Sequence, residues 1–411
     1  MYHSKFTGSK LNAFKNKLFV LLLGLVAPLT WVAPLGAQEV PATAPVVGAN
    51  RTEIYFPHLQ EKRIGLVANG TSVLLKQDGT MVHLADSLIS SGFKLIRVFT
   101  PEHGFRGLAD AGEELSDSVD PKTGLPLVSL YGSNRKPKPD QLQDLDLVIF
   151  DLQDLGVRFY TYIATLQLVM EACAEAGVPI LLLDRPNPNA DMVDGPVMEP
   201  EHTSFLGMNP IPLAYGMTLG EYATLINEEG WLGEGKKADL TVVEVSNYQR
   251  IIPYQLPVPP SPNIPNTQAA MLYPSLGLFE GTRINAGRGT AMQFQCFGAP
   301  LLDAEFFPFQ YTPEPRLGAK DPKHKSEICY GRDLSQITPP RELHLEWLLE
   351  AYAHHKDHTS FFLTSGFTKH AGTAVLQQQI EAGLSIAEIK AGWQPDLDKF
   401  QKIREKYLRY P

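Results

Sequence analysis

Short apolar runs separated by polar turns recur through the first half of the chain. Residues 63–69 run through Ile64, Leu66 and Val67 and end at the polar Asn69. Residues 94–99 and 146–151 repeat the pattern, the second with the unbroken Leu147-Val148-Ile149-Phe150. Residues 178–183 form a fourth run, which stops at Asp184-Arg185. Runs this short and this apolar fit strands buried on both faces. Between them the spacing turns helical. Residues 83–92 and 161–176 carry apolar positions three and four apart and close on Gly92 and Gly177. Residues 218–229 begin with Thr218 and Glu221, a capping-box pair. Strands alternating with helices predict a parallel sheet with helices on both faces. Such sheets bind ligands beyond the carboxyl ends of their strands. That rule puts Asn69, Glu102, Asp151 and Asp184-Arg185 on one rim.

The pattern changes near residue 250. Residues 250–340 are dense in Pro, Gly and aromatics and have little period. The tail reads as a helix over 343–356, a strand over 360–363, and helices near 372–382, 385–392 and 396–407. The expected fold class is α/β: a Rossmann-like parallel-sheet domain over residues 52–250 and a smaller α+β domain over 251–411. Residues 38–51, rich in Ala, Pro and Val, read as a linker. Residues 1–37 read as a signal peptide, with Lys5, Lys10, Lys15 and Lys17 before an apolar run over 18–26 and small residues at Gly36-Ala37. That run is shorter than the roughly 20 residues of a membrane span. An uncleaved anchor is the alternative reading. No later segment is long and apolar enough to cross a bilayer, so an exported chain, periplasmic or extracellular, is expected.

Composition narrows the function. With 411 residues, 44% of them hydrophobic, the chain can bury a large core without covalent staples. Its three cysteines allow one bridge and require none. Its 36 basic and 45 acidic residues leave a net charge of −9, which argues against nucleic acid or anionic lipid as a partner. His354, His355 and His358 have loose ligand-like spacing but lie in a polar helical stretch, and no CxxC is present, so no metal site is expected. No GxGxxG follows the first strand, and neither a Walker sequence nor a GxSxG elbow occurs. Nucleotide-dependent redox chemistry and serine hydrolysis lose their main supports, and no cofactor is expected.

Four segments could carry chemistry. Pro101 and Gly104 bracket Glu102-His103 just after a strand, where a carboxyl can point into a cleft and serve as a general acid. Residues 150–162 crowd Asp151, Asp154, Arg158, Tyr160 and Tyr162 into one strand-to-helix turn. Carboxylates among phenol rings suit a sugar, and Arg158 could fork onto a substrate carboxylate. Asp154 and Arg158 could equally pair with each other. Arg288 lies between Gly287 and Gly289, with Glu280 upstream, and could approach an anion. Asn263 sits in the stiff loop Pro260-Ser261-Pro262-Asn263. Read from the residues, a glycan-acting hydrolase is the leading class.

These motifs, in order, resemble the NamZ-type exo-β-N-acetylmuramidases. The likeness rests on Gly65-Leu66-Val67-Ala68-Asn69, Pro101-Glu102-His103-Gly104-Phe105, Ser129-Leu130-Tyr131-Gly132, residues 150–162, Asp184-Arg185-Pro186-Asn187-Pro188, Gly216-Met217-Thr218, residues 260–265 and Gly287-Arg288-Gly289-Thr290. It runs from about residue 52 to the end. The resemblance implies release of terminal, non-reducing β-1,4-linked N-acetylmuramic acid (MurNAc) from peptidoglycan fragments, without metal or nucleotide. It implies Glu102 as the catalytic acid, with His103 beside it and Asp151 or Asp154 as the second carboxyl, unless the substrate's own acetamide attacks. Asn69, Asp154, Arg158, Tyr160, Tyr162, Arg185, Asn187, Asn263, Glu280 and Arg288 become the expected sugar contacts. Arg158, Arg185 and Arg288 are the cations expected to hold the sugar's carboxylate. The chain departs from the family pattern at Ala286 and Gln295, where acidic residues are usual. A non-catalytic muropeptide-binding protein is the alternative those two positions raise.

Overall fold

The computed structural model describes residues 44–76, 78–106 and 118–411. The signal-peptide reading of residues 1–37 lies outside the described residues. The apolar runs are strands of one sheet. Across it lie Leu240–Val243, Ile180–Leu183, Leu147–Asp151, Arg63–Ala68, Lys94–Thr100 and Pro126–Ser129, all parallel, then the antiparallel edge pair Ser118–Val119. The chain builds outward from Arg63–Ala68 on one side, then returns and builds outward on the other. This is the doubly wound Rossmann order, with its switch point between Arg63–Ala68 and Leu147–Asp151.

The central strands are largely apolar because both faces of the sheet are covered. Val67, Phe99, Val148, Phe150 and Leu182 pack on one side, toward the helix Tyr162–Ala176. Leu66, Val98, Ile149 and Leu181 pack on the other, with Leu84 and Leu88 of the helix Leu84–Ser90. Tyr162–Ala176 ends at Gly177, whose φ of 65° is the left-handed stop that its sequence position predicts. Thr218 and Glu221 cap Leu219–Glu228 reciprocally, as the spacing predicts.

The region after residue 250 holds more order than its composition suggests. A helix, Thr267–Leu276, starts at Asn266, whose side chain accepts from the Ala269 amide. A three-stranded antiparallel sheet follows, with Cys329–Asp333 between Cys296–Ala299 and Phe309–Tyr311. In the tail, the strand expected over 360–363 is instead a helical turn, His358–Phe361, after which Phe362 bridges to Thr282. The two helices expected over 385–392 and 396–407 are one, Ile386–Arg404, which runs through Pro395. Proline costs that helix one hydrogen bond. The buried stripe Ile389, Trp393, Leu397 and Phe400 carries it across.

Residues 46–50, expected to be linker, are packed. Val46 bridges to Ser246 and the Gly48 amide donates to Asp184 O. Residues Thr43–Pro411 form one compact unit. All three cysteines are buried and free. His354 stacks on Phe306 at 3.6 Å, and His355 is buried with Nδ1 bonded to Asp357 O, so packing accounts for both. No helix among the described residues is long and apolar enough to cross a membrane.

Candidate active site

A cleft of about 340 Å³ opens over the carboxyl edge of the sheet. That is the scale of a small-ligand site. Glu102 and His103 enter it directly after the strand Lys94–Thr100. The chain turns sharply there, with His103 at φ 70° and the Gly104 amide bonded back to Pro101 O. A buried non-glycine residue in that region is uncommon and tends to mark functional turns. The Thr161 hydroxyl, at the start of Tyr162–Ala176, donates to Glu102 Oε2 at 3.0 Å. One carboxylate oxygen is thereby held and the side chain is aimed across the cleft.

The aromatic wall follows from the segment 157–162. The Tyr160 and Tyr162 hydroxyls both donate to Pro260 O, at 3.0 and 3.4 Å, and their rings meet edge to face. Asn69 Nδ2 donates to Tyr162 Oη at 2.7 Å, so Asn69 positions a wall residue and does not itself line the cleft. Tyr273, from the helix Thr267–Leu276, packs against Phe159 and Phe294. Tyr273, Phe159 and Phe294 complete the ring-lined surface.

The opposite wall carries the second carboxyl. Glu280 pairs with Arg288 at 2.9 Å. Burial alone would raise the Glu280 carboxyl, but Arg288, Lys323 and His370 outweigh it and hold it below its ordinary range. Lys323 Nζ lies within hydrogen-bond reach of the carbonyls of Phe279, Glu280, Thr282 and Ile284, which fixes that turn. Asn263 Nδ2 and Arg288 Nη2 both donate to Gly318 O, at 2.8 and 3.1 Å. Asn263 Oδ1 is buried and has no partner among the described residues, so it can accept from a ligand hydroxyl or amide. His370 Nδ1 bonds Gly366 O at 2.8 Å, and burial lowers its pKa. The bond to Gly366 O fixes the ring on the cleft wall.

Seven of the expected residues therefore meet here: Glu102, His103, Tyr160, Tyr162, Asn263, Glu280 and Arg288. The others do not line this cleft, although Asn69 lines a neighbouring pocket that shares His103 and Ser261 with it. Asp151, fully buried, forms a two-point pair with Arg185 at 2.6 and 2.9 Å. Asp154 accepts from the Tyr215 hydroxyl and the Gly156 amide, and burial pushes it up to about 6. Arg158 has neither a substrate-facing fork nor an Asp154 partner. Its Nη1 donates to Pro196 O and Ile211 O and its Nη2 to His370 O and Ala371 O. Asn187 shapes a buried turn, accepting from the Asn189 amide and donating to Met217 O. Ala286 and Gln295 are both buried away from the cleft, and Gln295 accepts from Asn266. The positions where the family's acidic residues are absent are therefore not on its lining. Thr161, Tyr273, Arg135, Phe205, Lys369 and His370 line the cleft and were not expected. Thr161 lies inside the motif run, whereas the others carry no local signal.

Two carboxyls in one ring-lined cleft on a Rossmann-type sheet make the constellation of a carbohydrate site. The comparisons specify it further. Residues 64–268 match the model for the N-terminal part of "Exo-beta-N-acetylmuramidase NamZ", and residues 271–410 match its C-terminal part. The chain belongs to the NamZ family. It is 38% identical over 376 residues to the peptidoglycan beta-N-acetylmuramidase NamZ of Bacillus subtilis, covering 87% of this chain and 89% of that protein. Two crystal structures of DUF1343 family proteins from Bacteroides fragilis share the architecture. One is 39% identical with a TM-score of 0.82, covering 90% of this chain and 99% of that one. The other is 28% identical with a TM-score of 0.75, covering 90% and 100%.

Proposed function

We propose that this protein is a glycosidase that releases terminal, non-reducing β-1,4-linked MurNAc from peptidoglycan fragments. Family membership and the B. subtilis relative support the reaction class. The observation that carries the residue assignment is Glu102 on its left-handed turn, held by Thr161 in a ring-lined cleft that also contains Glu280. In this reading Glu102 protonates the departing glycosidic oxygen. Glu280, kept ionised by Arg288, is the second carboxyl that glycoside hydrolysis ordinarily uses, and it stabilises positive charge developing on the sugar. The phenol and phenyl rings stack on the sugar faces, and Asn263 Oδ1 accepts a sugar N–H or O–H. The exported location proposed from residues 1–37 fits a cell-wall substrate. Incubation with a β-MurNAc glycoside, followed by mass spectrometry, tests the activity. Free MurNAc should accumulate. Tight binding without release would instead support a muropeptide-binding protein.

A further inference from the structure

Resting on that reading, we propose that Arg135 and Lys369 at the cleft mouth hold the carboxylate of the substrate. MurNAc carries a lactyl carboxylate, and a stem peptide attached there turns it into an amide and places its own carboxylates further out. A chain of net charge −9 must attract such a ligand with local cations. The three arginines singled out by sequence are committed elsewhere: Arg158 to four carbonyls, Arg185 to Asp151 and Arg288 to Glu280. Glu280 is thus already neutralised within the cleft.

Two further cations line the cleft, and both are exposed. Neither makes a hydrogen bond or ion pair with another described residue. Arg135 lies over the Phe205 ring at 4.6 Å, and Phe205 meets Tyr131 edge to face. The ring holds the guanidinium by a cation–π contact that uses none of its N–H donors, and a guanidinium can fork onto a carboxylate. Lys369 sits in the last turn of the helix Thr364–Ala371, next to His370. Its flexible ammonium adds a second point charge at the same mouth. Ordering them under a ligand costs rotamer entropy, and they supply the charge that separates an acidic sugar from a neutral one.

The test measures kcat and KM for three β-glycosides: MurNAc as the free acid, its lactyl methyl ester, and its lactyl amide with L-alanine, which moves the charge outward. The proteins are wild type, Arg135→Gln, Lys369→Gln and the double variant, with matched thermal melts as the folding control. KM for the free acid should rise about 10-fold per lost cation and about 100-fold in the double variant, with kcat nearly held. The ester should show little of this dependence. A loss confined to the alanine amide would support the same cations but assign the charge they read to the peptide. Equal KM values for wild type and double variant on both charged substrates would overturn the assignment alone. No sugar release by wild type would overturn the muramidase reading with it.

Discussion

Replacing Arg158 with alanine should loosen the site as a whole, because Arg158 is a strut and not a substrate contact. Its guanidinium is fully buried and ties the segment that carries Tyr160, Thr161 and Tyr162 to Pro196, Ile211 and the His370-Ala371 end of a helix. Gly372, at φ 79°, makes the room: a β-carbon there would stand 2.4 Å from Arg158 Nη2. Four bonds from a charged donor, at about 1.5–3 kcal/mol each, are offset by the several kcal/mol needed to bury an unpaired cation. Truncation removes the offset but takes the donor away from four carbonyls, of which Ile211 O keeps the Met198 amide, and opens a cavity. A net destabilisation of about 3–5 kcal/mol is expected, a large part of a typical domain's stability. Urea unfolding should show a lower midpoint at unchanged slope. Arg158→Lys reaches fewer of the carbonyls and should fall between. Near-wild-type stability with a tenfold higher KM would refute this account and return Arg158 to the substrate.

Thr161→Val removes the hydroxyl that aims Glu102, so kcat should fall about tenfold with KM nearly unchanged. A wild-type kcat would show that the contact does not orient the acid. Glu280→Gln should lower kcat/KM by about 100-fold or more, read on the same glycoside, and unimpaired turnover would remove Glu280 from the mechanism. Asp154, raised from 3.8 to about 6 by burial, holds more protons folded than unfolded between those values. Its contribution to stability is therefore fully present below about pH 4 and lost as pH rises through 6. Asp154→Asn should flatten that part of the stability profile, measured by urea melts from pH 4 to 7.

Much of the sheet was legible because a strand buried on both faces has to be apolar along its whole length. The rim was legible because polar residues follow each such strand. Pairing along the rim was not. Asp151 and Arg185 stand at the carboxyl ends of neighbouring parallel strands, Leu147–Asp151 and Ile180–Leu183, so they satisfy each other before any ligand arrives. Either residue in isolation looks catalytic. Arg158 misled for a related reason, since a guanidinium can be satisfied by backbone carbonyls that leave no trace in composition. The far wall was harder still. Tyr273 and the Lys369-His370 pair come from helices far along the chain from Glu102, and only the tertiary fold brings them together. Ile386–Arg404 runs through Pro395, which reads locally as a breaker, because the buried stripe Ile389, Trp393, Leu397 and Phe400 is satisfied only in the tertiary fold.

The central claim is that Glu102 does the chemistry in this cleft. Glu102→Gln keeps the size of the side chain and a group able to meet the Thr161 hydroxyl, but it cannot give up a proton to the leaving oxygen. The direct measurement is release of free MurNAc from a β-MurNAc glycoside by this variant, beside a thermal melt. The account predicts a melt like wild type and turnover reduced by at least about 1,000-fold. A well-folded variant that releases MurNAc at the wild-type rate would contradict it.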